Sequence, residues 1–548
     1  MYDKKYFIKK FNKDIKYTVN NILSNNSNSK LLIGHSRLIT NSTPDNQPIL
    51  SNGVVCIHNG IIVNFKEIFL KYQLNQKLEI DSEILPTLTN YYLQKNFDLE
   101  TVMDKILEDC EGVVNCAIVI PKLGKMLLFS NNGSLYVGEK NNNYLFASEK
   151  YFLDQIKCSN IHQITKKIID IPSSKNPIID WEKNEIRRDL VPILTKDIHL
   201  EKLLVYDEHN LQRCSKCILP STMPFIKFDE SNICNYCINY EKKNFVKYNF
   251  DEINSIFGKY RKKSKKADCI VPLSGGRDSC LALHLAKNKF NLNPIAYTYD
   301  WGLVTDLARR NISRMCSKLK IEHIIFSDNI SKKRNYIKKN VSAWLNKPHL
   351  GMVNIFTAGD KHFFRHVQTV KKRTGIKLDL WGINPYEITH FKSGFLGVPP
   401  DFQLKDVYAK GLSKQFNYHS KRLAQMIKNP NYFNSSIFDN LYGELYRSII
   451  KKNDHYSIFD FHKWNETEVD EVLKIYDWEK SIDTKSTWRI GDGAAAFYNY
   501  IYYTMAGFSE HDTFRSNQIR EGDITRDEAL KLVKIESKPR YENIKWFL

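Results

Sequence analysis

The hydrophobic positions in the first quarter of the chain fall in short runs: "KLLIGHSRLIT", "GVVCIHNG", "NCAIVIP" and "KMLLFSNNGSLYVG". Asn, Gly and Ser separate them. Short apolar runs bounded by such residues predict strands joined by turns. Residues 1–165 are therefore expected to form a mostly β region with a few helices. Residues 166–210 are polar and charged and read as a connector, and 211–242 hold a cysteine cluster. From 243 to 400 strand-like runs alternate with helical stretches, the pattern of a parallel sheet covered by helices. From 401 to 548 the pattern turns mainly helical, and no internal repeat of useful length occurs.

Composition narrows the class. With 548 residues the chain exceeds a single core and predicts about three or four domains. It is 42% hydrophobic and 12% aromatic, enough to bury large cores. No apolar run reaches the roughly 18 residues of a membrane span. The opening "MYDKKYFIKKFNKDIKY" has no secretory apolar core, so a cytoplasmic location without membrane insertion is expected. The net charge of +20, from 81 Lys+Arg and 61 Asp+Glu, invites a nucleic-acid partner. Yet Lys is spread along the chain, with "KYRKKSKK" at 259–266 the densest run, so charge alone does not assign one. Eleven cysteines without an export signal read as thiols and metal ligands more than as disulfides.

Four of them form a pattern. "CSKCILPSTMPFIKFDESNICNYC" places Cys214, Cys217, Cys234 and Cys237 as two C-x2-C pairs. Such pairs aim four thiolates at one centre and satisfy tetrahedral Zn²⁺ with no further ligand, a closed structural site. The same ligands suit an iron–sulfur cluster; four unrelated thiols are the bland alternative.

"DCIVPLSGGRDSCLALHLAKNK" (268–289) reads as strand, glycine loop and helix, with Leu281 and Leu285 on one helix face. Gly275 and Gly276 let backbone N–H groups turn toward a ligand. The helix N-terminus favours an anion, and Ser274 and Ser279 add hydroxyls. Asp278 repels phosphate, so a Mg²⁺ bridge is its natural role. The spacing is not that of a Walker A loop. It resembles the SGGxDS loop of the N-type ATP pyrophosphatases (the PP-loop family). That resemblance implies ATP cleaved to AMP and pyrophosphate, with adenylation of a carbonyl or carboxylate oxygen. "NPIAYTYDWG" (293–302) would be the next strand, bringing Tyr299 to the adenine. "LDLWGINPYEITHFKSGF" (378–395) would be a later one, ending at Gly382 with Glu387 and Lys392 beyond it. Ordinary surface charge is an equal reading of those last two; as site residues, Lys392 would be catalytic.

"HNG" at 58–60 has two readings. Asn-Gly is a common hairpin turn, and it can also be an oxyanion hole built from the Asn59 amide and the Gly60 N–H. Its surroundings favour the second. "GHSRLIT" (34–40), "HNG" (58–60), "DSEIL" (81–85) and "YLFASEK" (144–150) come in the order found in the class II glutamine amidotransferase domain. This domain occurs in asparagine synthetase and glucosamine-6-phosphate synthase, and it is a sandwich of the N-terminal-nucleophile type. The resemblance puts Arg37 on the glutamine carboxylate, Asn59 and Gly60 in the oxyanion hole and Asp81 on the α-amino group. That family uses an N-terminal cysteine. Here Tyr2 follows Met1, and the first cysteine is Cys56 inside an apolar strand. No nucleophile is therefore assigned, and the sequence as it stands is expected to hydrolyse no glutamine. A cysteine encoded upstream, or ammonia from a separate glutaminase, would complete the activity.

The cysteine pairs, the SGGRDS loop and "STWRIGDGAAAFYNYIYYTMAGFSEHDTFRSNQIREGDITRDEA" (486–529) together resemble the N-acetyl sugar amidotransferases of surface-polysaccharide synthesis. The resemblance implies a fold of three parts after the sandwich: a zinc knuckle, a doubly wound α/β parallel sheet and a helical C-terminal extension. It implies ATP, Mg²⁺ and Zn²⁺ as cofactors, glutamine or ammonia as donor, and a sugar-nucleotide-like acceptor. Two rivals remain. An asparagine-synthetase-like enzyme would amidate a free carboxylate such as aspartate. A tRNA-thiolating enzyme would need a sulfur carrier, for which Cys280 and Cys316 are the candidates.

Overall fold

The computed structural model describes residues 6–10, 19–20, 22, 29–36, 45–174, 177–181, 209–262, 267–357, 359–403, 412–484 and 488–548. The chain divides into two compact units. The first comprises residues 1–191 together with Arg309–His323; the second comprises 192–308 and 324–548.

The first unit is built on a five-stranded sheet of Ile49–Ser51 (β1), Val54–His58 (β2), Asn115–Ile120 (β3), Lys125–Ser130 (β4) and Lys166–Asp170 (β5). The strand order is β5-β4-β3-β2-β1, and every neighbouring pair is antiparallel. All five residues of β2 are buried, because both faces of the sheet are covered. Val54 and Cys56 pack with Cys116 and Ile118 against helices Ile84–Gln94 (α1) and Leu99–Asp109 (α2). Val55 and Ile57 point the other way, with Ala117 and Val119, toward Leu135 and Val137. Val137 belongs to a three-stranded antiparallel sheet, Tyr136–Lys140, Asn143–Ala147 and Ser159–Gln163. The result is a layered α/β sandwich. The connector expected from residue 166 begins later, since β5 completes the sheet. Its flanking lysines masked a strand whose apolar residues are Ile168 and Ile169.

The second unit holds Cys269–Pro272 (β6), Pro294–Asp300 (β7), His323–Ser327 (β8), Leu378–Trp381 (β9) and His455–Ser457 (β10), in the order β8-β7-β6-β9-β10. Pairs β6–β7, β6–β9 and β9–β10 are parallel. This is a doubly wound order, with the first strand central and the direction of winding reversing beside it. Strand β10 lies beyond residue 400, so the region expected to be only helical gives the sheet its last strand. Three residues, His-Tyr-Ser, carry no apolar run that would announce it. The rest of the region after 401 is helical, including Ala495–Ala506, Glu510–Glu521 and Arg526–Glu536.

Candidate functional site

The turn at residues 58–60 is not a hairpin. Strand β2 turns back on β1 through Asn52-Gly53, both at positive φ (49° and 82°), as a two-residue hairpin loop requires. After Gly60 the chain pairs elsewhere: Ile61 and Ile62 lie antiparallel to Val113 and Gly112. The Asn59 backbone is locked to Asn115, with N–H donated to the Asn115 carbonyl and its own carbonyl accepting from Nδ2, both at 2.8 Å. Its side chain stays exposed. His58 is buried, with Nε2 3.0 Å from the Val113 carbonyl and Nδ1 2.9 Å from Ser82 Oγ. A carbonyl only accepts, so Nε2 carries the hydrogen and Ser82 donates to Nδ1. Burial lowers the His58 pKa against the opposing pull of the Asp81 charge, which keeps the ring neutral. Gln47 closes the other side, accepting from the His58 N–H at 2.6 Å and donating to its carbonyl at 2.8 Å. A Cβ on Gly60 would fall 2.0 Å from the Val113 carbonyl oxygen, so no other residue fits without a shift. Asp81 opens the turn before α1, and its Oδ2 accepts from the Ile62 N–H at 2.8 Å. Cys56 is wholly buried among the α1–α2 side of the sheet, away from solvent. Arg37 lies outside the described residues.

The phosphate loop leaves the carboxyl end of β6 and enters helix Arg277–His284 (α3). Gly275 has φ +78°, and a Cβ there would sit 2.3 Å from the Ala308 carbonyl oxygen; Gly276 has only Ser274 Oγ nearby, at 3.4 Å. Ser279 Oγ accepts from the Ser274 N–H at 3.1 Å and donates to the Gly276 carbonyl at 3.0 Å, bending the loop around the first turn of α3. Trp478 Nε1 donates to the Gly275 carbonyl at 3.2 Å. First-turn N–H groups of a helix have no partner within it, so the cradle suits an anion.

Asp278 is buried beside the loop. Trp464 Nε1 donates to Oδ1 at 2.7 Å and Asn384 Nδ2 to Oδ2 at 3.2 Å. Burial raises its pKa, opposed by the neighbouring Arg277 charge. Arg277 is 1% exposed, with its guanidinium 5.1 Å from the Trp464 ring centre and 2.5 Å from Glu466 Oε1. Glu466 also accepts from Arg515 at 2.7 Å and Gln518 at 2.8 Å. One lone pair on each Asp278 oxygen is left for a divalent cation, and a carboxylate beside a phosphate cradle is the donor Mg²⁺ takes.

The other expected site residues have defined places. A Cβ on Gly382 would meet the Asp278 carbonyl oxygen at 2.5 Å, so its glycine lets β9 close on the loop. Tyr299 is buried, its hydroxyl donating to Asp328 at 2.5 Å and its ring 4.8 Å from that of His366. Glu387 accepts from Trp488 Nε1 at 2.9 Å, and Lys392 pairs with Glu510. Cys280 and Cys316 are both fully buried, and burial pushes the Cys280 thiol up to about 12. Trp464, Asn384, Glu466 and Trp478 were not anticipated. They lie 100 or more residues from the loop in sequence, and only an unusual buried-type Trp in a polar stretch hinted at them.

The four cysteines converge. Their sulfurs all lie within 4.8 Å of one another, with Cys217–Cys234 at 3.8 Å and Cys214–Cys237 at 4.0 Å. Four sulfurs at about 2.3 Å from one tetrahedral ion stand about 3.8 Å apart, so the set fits. Arg520 donates Nε to Cys237 Sγ and Nη2 to Cys217 Sγ, both at 3.3 Å, and the Cys234 N–H reaches Cys214 Sγ at 3.2 Å. Such donors offset the surplus negative charge of a four-thiolate site.

Comparison with known proteins bears on these sites. Residues 35–155 match the glutamine amidotransferase domain. The match takes in the turn at 58–60 and Asp81. An uncharacterized protein of Methanocaldococcus jannaschii is 32% identical over 118 residues, 21% of this chain and 42% of that protein. The 7-cyano-7-deazaguanine synthase of Clostridium botulinum is 28% identical over 28% of this chain and 66% of its own length. The glutamine–fructose-6-phosphate aminotransferase of Xylella fastidiosa is 25% identical over 31% of this chain and 26% of its own. The chain thus spans less than two thirds of the length of each of these relatives. A solved glutamine phosphoribosylpyrophosphate amidotransferase of B. subtilis aligns with 54% of this chain and 66% of that one, at 14% identity and a TM-score of 0.23, too low to carry an argument. Among the described residues no helix is long and apolar enough to cross a membrane.

Proposed function

We propose that the chain is an ATP-dependent amidotransferase acting in two halves. The observation that carries the reading is the Ser274–Ser279 loop: a glycine cradle at the carboxyl end of the central strand of a doubly wound sheet, with a buried carboxylate, Asp278, fixed beside it. Ligands of such sheets bind at strand carboxyl ends beside the point of reversal. ATP lies with its phosphates on this loop. The acceptor's carbonyl oxygen attacks the α-phosphorus, the α–β bond breaks and pyrophosphate leaves along the α3 N-terminus. Ammonia then adds to the carbonyl carbon, and AMP departs with the oxygen while a proton is lost. Asp278 would hold Mg²⁺, which supplies charge neutralisation for the triphosphate. Lys392, beyond β9, is the catalytic residue facing the acceptor's reacting group.

The first unit binds glutamine; no nucleophile is assigned in it, so release of ammonia needs a cysteine encoded upstream or a separate glutaminase. The locked turn presents the Asn59 side-chain amide and the Gly60 N–H to the developing oxyanion, Asp81 takes the α-amino group and Arg37 the carboxylate. The acceptor is a nucleotide-linked N-acetyl sugar whose acetamido group becomes an acetamidino group. The four cysteines hold Zn²⁺ in a closed site that ties residues 214–237 to helix Glu510–Glu521 through Arg520. The buried Cys280 thiol argues against a sulfur-carrying role and so against tRNA thiolation.

The test is product analysis with ATP, Mg²⁺, ammonium and a panel of nucleotide-linked N-acetyl sugars. Acceptor-dependent AMP and pyrophosphate support the reading; ADP as the product rejects it. Metal analysis should find about one Zn²⁺ per chain and its loss in Cys214→Ser. Undiminished zinc in that variant removes the metal assignment.

A further inference from the structure

The segment Trp488–Gly493, reading WRIGDG, lies against the phosphate loop. A Cβ on Gly491 would sit 3.1 Å from the Ser274 carbonyl oxygen and 3.6 Å from the Gly276 nitrogen. The segment is pinned there. Thr305 donates its N–H to the Gly491 carbonyl at 3.3 Å and its hydroxyl to the Ile490 carbonyl at 2.9 Å, and the Gly493 N–H reaches the Leu303 carbonyl at 2.8 Å.

Arg489 stands two residues before Gly491 and has φ +57°. A side chain in this left-handed region costs about 1 kcal/mol or more, and such strain persists where surrounding structure enforces it, often at binding sites. The guanidinium makes no hydrogen bond to a described residue, and its Nε is buried without a partner. Two carboxylates, Glu387 and Glu510, stand 3.7 Å from it, within reach of charge and outside hydrogen-bond distance. Both are already served. Glu387 accepts from Trp488 Nε1 at 2.9 Å; Glu510 accepts from Lys392 and, at 3.3 Å, from Asn499 Nδ2. The carboxylates thus hold the guanidinium in place while its N–H groups stay uncommitted. Glu387 follows β9, whose Gly382 abuts Asp278, and its charge acts on Asp278. The arginine therefore stands at the carboxyl edge of the sheet, beside the cradle. A planar, permanently charged fork with free donors is a recogniser of phosphoryl oxygens.

We propose that Arg489 is a phosphate-binding residue of the ATP site, taking oxygens of the β,γ-pyrophosphate that rests on the Ser274–Ser279 loop. The inference rests on the reading of that loop as an ATP site. Glu387 and Glu510 then form a holder that keeps the fork aimed before nucleotide arrives.

The experiment measures binding of inorganic pyrophosphate and of AMP, each with Mg²⁺, to the full chain by calorimetry, and thermal melting alongside. Variants are Arg489→Asn, which tolerates positive φ, and Arg489→Lys, which keeps the charge. Arg489→Asn should bind pyrophosphate roughly 10- to 100-fold more weakly, the size of a lost charge-assisted hydrogen bond. It should bind AMP as the parent does, while the melting temperature reports the balance between the relieved strain and the cation lost from beside Glu387 and Glu510. Arg489→Lys should recover part of the loss. Unchanged pyrophosphate binding in Arg489→Asn overturns the inference, as does an equal loss for AMP. A fall in melting temperature with intact binding would make the arginine purely structural. If the parent chain binds neither pyrophosphate nor ATP, the loop reading itself falls first, and the inference with it.

Discussion

Two glycine-bearing turns follow buried strands in this chain, and they are held in opposite ways. The 58–60 turn is fixed by neutral hydrogen bonds from three polar side chains, Gln47, Ser82 and Asn115. The 274–279 loop is fixed by backbone crowding and by charges drawn from afar: Ala308 and Gly491 press on it, and Trp464, Glu466, Trp478 and Arg515 secure its flanks. The first arrangement shapes a small, fixed donor pair. The second shapes a cradle whose walls come from several parts of the second unit, which is what a large polyanionic ligand demands. The second should fail when any wall is removed.

The largest expected break is at Asp278. Asp278→Asn should lower acceptor-dependent AMP formation by at least ~100-fold, since the carboxylate is the charged group set beside the proposed triphosphate site. Quenched-flow measurement of AMP checks it, and a loss below tenfold would remove Asp278 from the chemistry. Next is Glu466, which bridges Arg277 and Arg515. Glu466→Gln leaves the buried Arg277 guanidinium facing a neutral amide, while Arg515 keeps Glu536 at 2.6 Å, and should cost about 3 kcal/mol of stability in the second unit, read by denaturant unfolding. Its dependence on acid is set by the same charges. Burial is outweighed by Arg277 and Arg515, which hold the Glu466 pKa down at about 2 against an ordinary 4.5. The difference between parent and variant should be full above pH 4.5 and close as pH falls toward 2. A difference that persists at the acid end would mean packing, not charge, is responsible.

The neutral turn should respond less. Ser82→Ala removes the donor to His58 Nδ1 and should cost about 1 kcal/mol, detected as faster amide exchange at residues 58–60 with exchange around the 274–279 loop unchanged. If that loop were also affected, the two turns would not be independent. The smallest structural effect is expected at Gly276, where an added Cβ meets only Ser274 Oγ at 3.4 Å. Gly276→Ala should melt within about 1 °C of the parent yet bind ATP more weakly, because the methyl occupies the space proposed for a phosphate oxygen. Equal ATP affinity would place the nucleotide elsewhere.

What the sequence showed follows the same division. HNG, SGGRDS and the two C-x2-C pairs are local patterns, and each lands on the element expected of it: a strand end, a strand–loop–helix and a four-sulfur cluster. The walls are invisible locally. Nothing near Trp464 says that its indole will reach Asp278, 186 residues away. Arg489 sits in a glycine-rich stretch that reads as a loop, and only its positive φ and idle guanidinium single it out. Strands β5 and β10 escaped because two lysines mask one and the other has three residues. Asn52-Gly53 was the true hairpin, hidden beside the more conspicuous Asn59-Gly60.

The first unit is not a continuous stretch of sequence. It includes Arg309–His323, and Ser313 from that piece accepts from the Val113 N–H at 2.8 Å and donates to the Ile61 carbonyl at 2.7 Å. Val113 is the residue that carries the His58 hydrogen bond, and Gly112 beside it has φ +107°. A gene fragment ending at residue 191 would therefore encode the first unit without the hydroxyl that staples Val113 to Ile61 beside its 58–60 turn. Recombination could not graft or shed this domain by a single crossover, because part of it is written more than a hundred codons downstream.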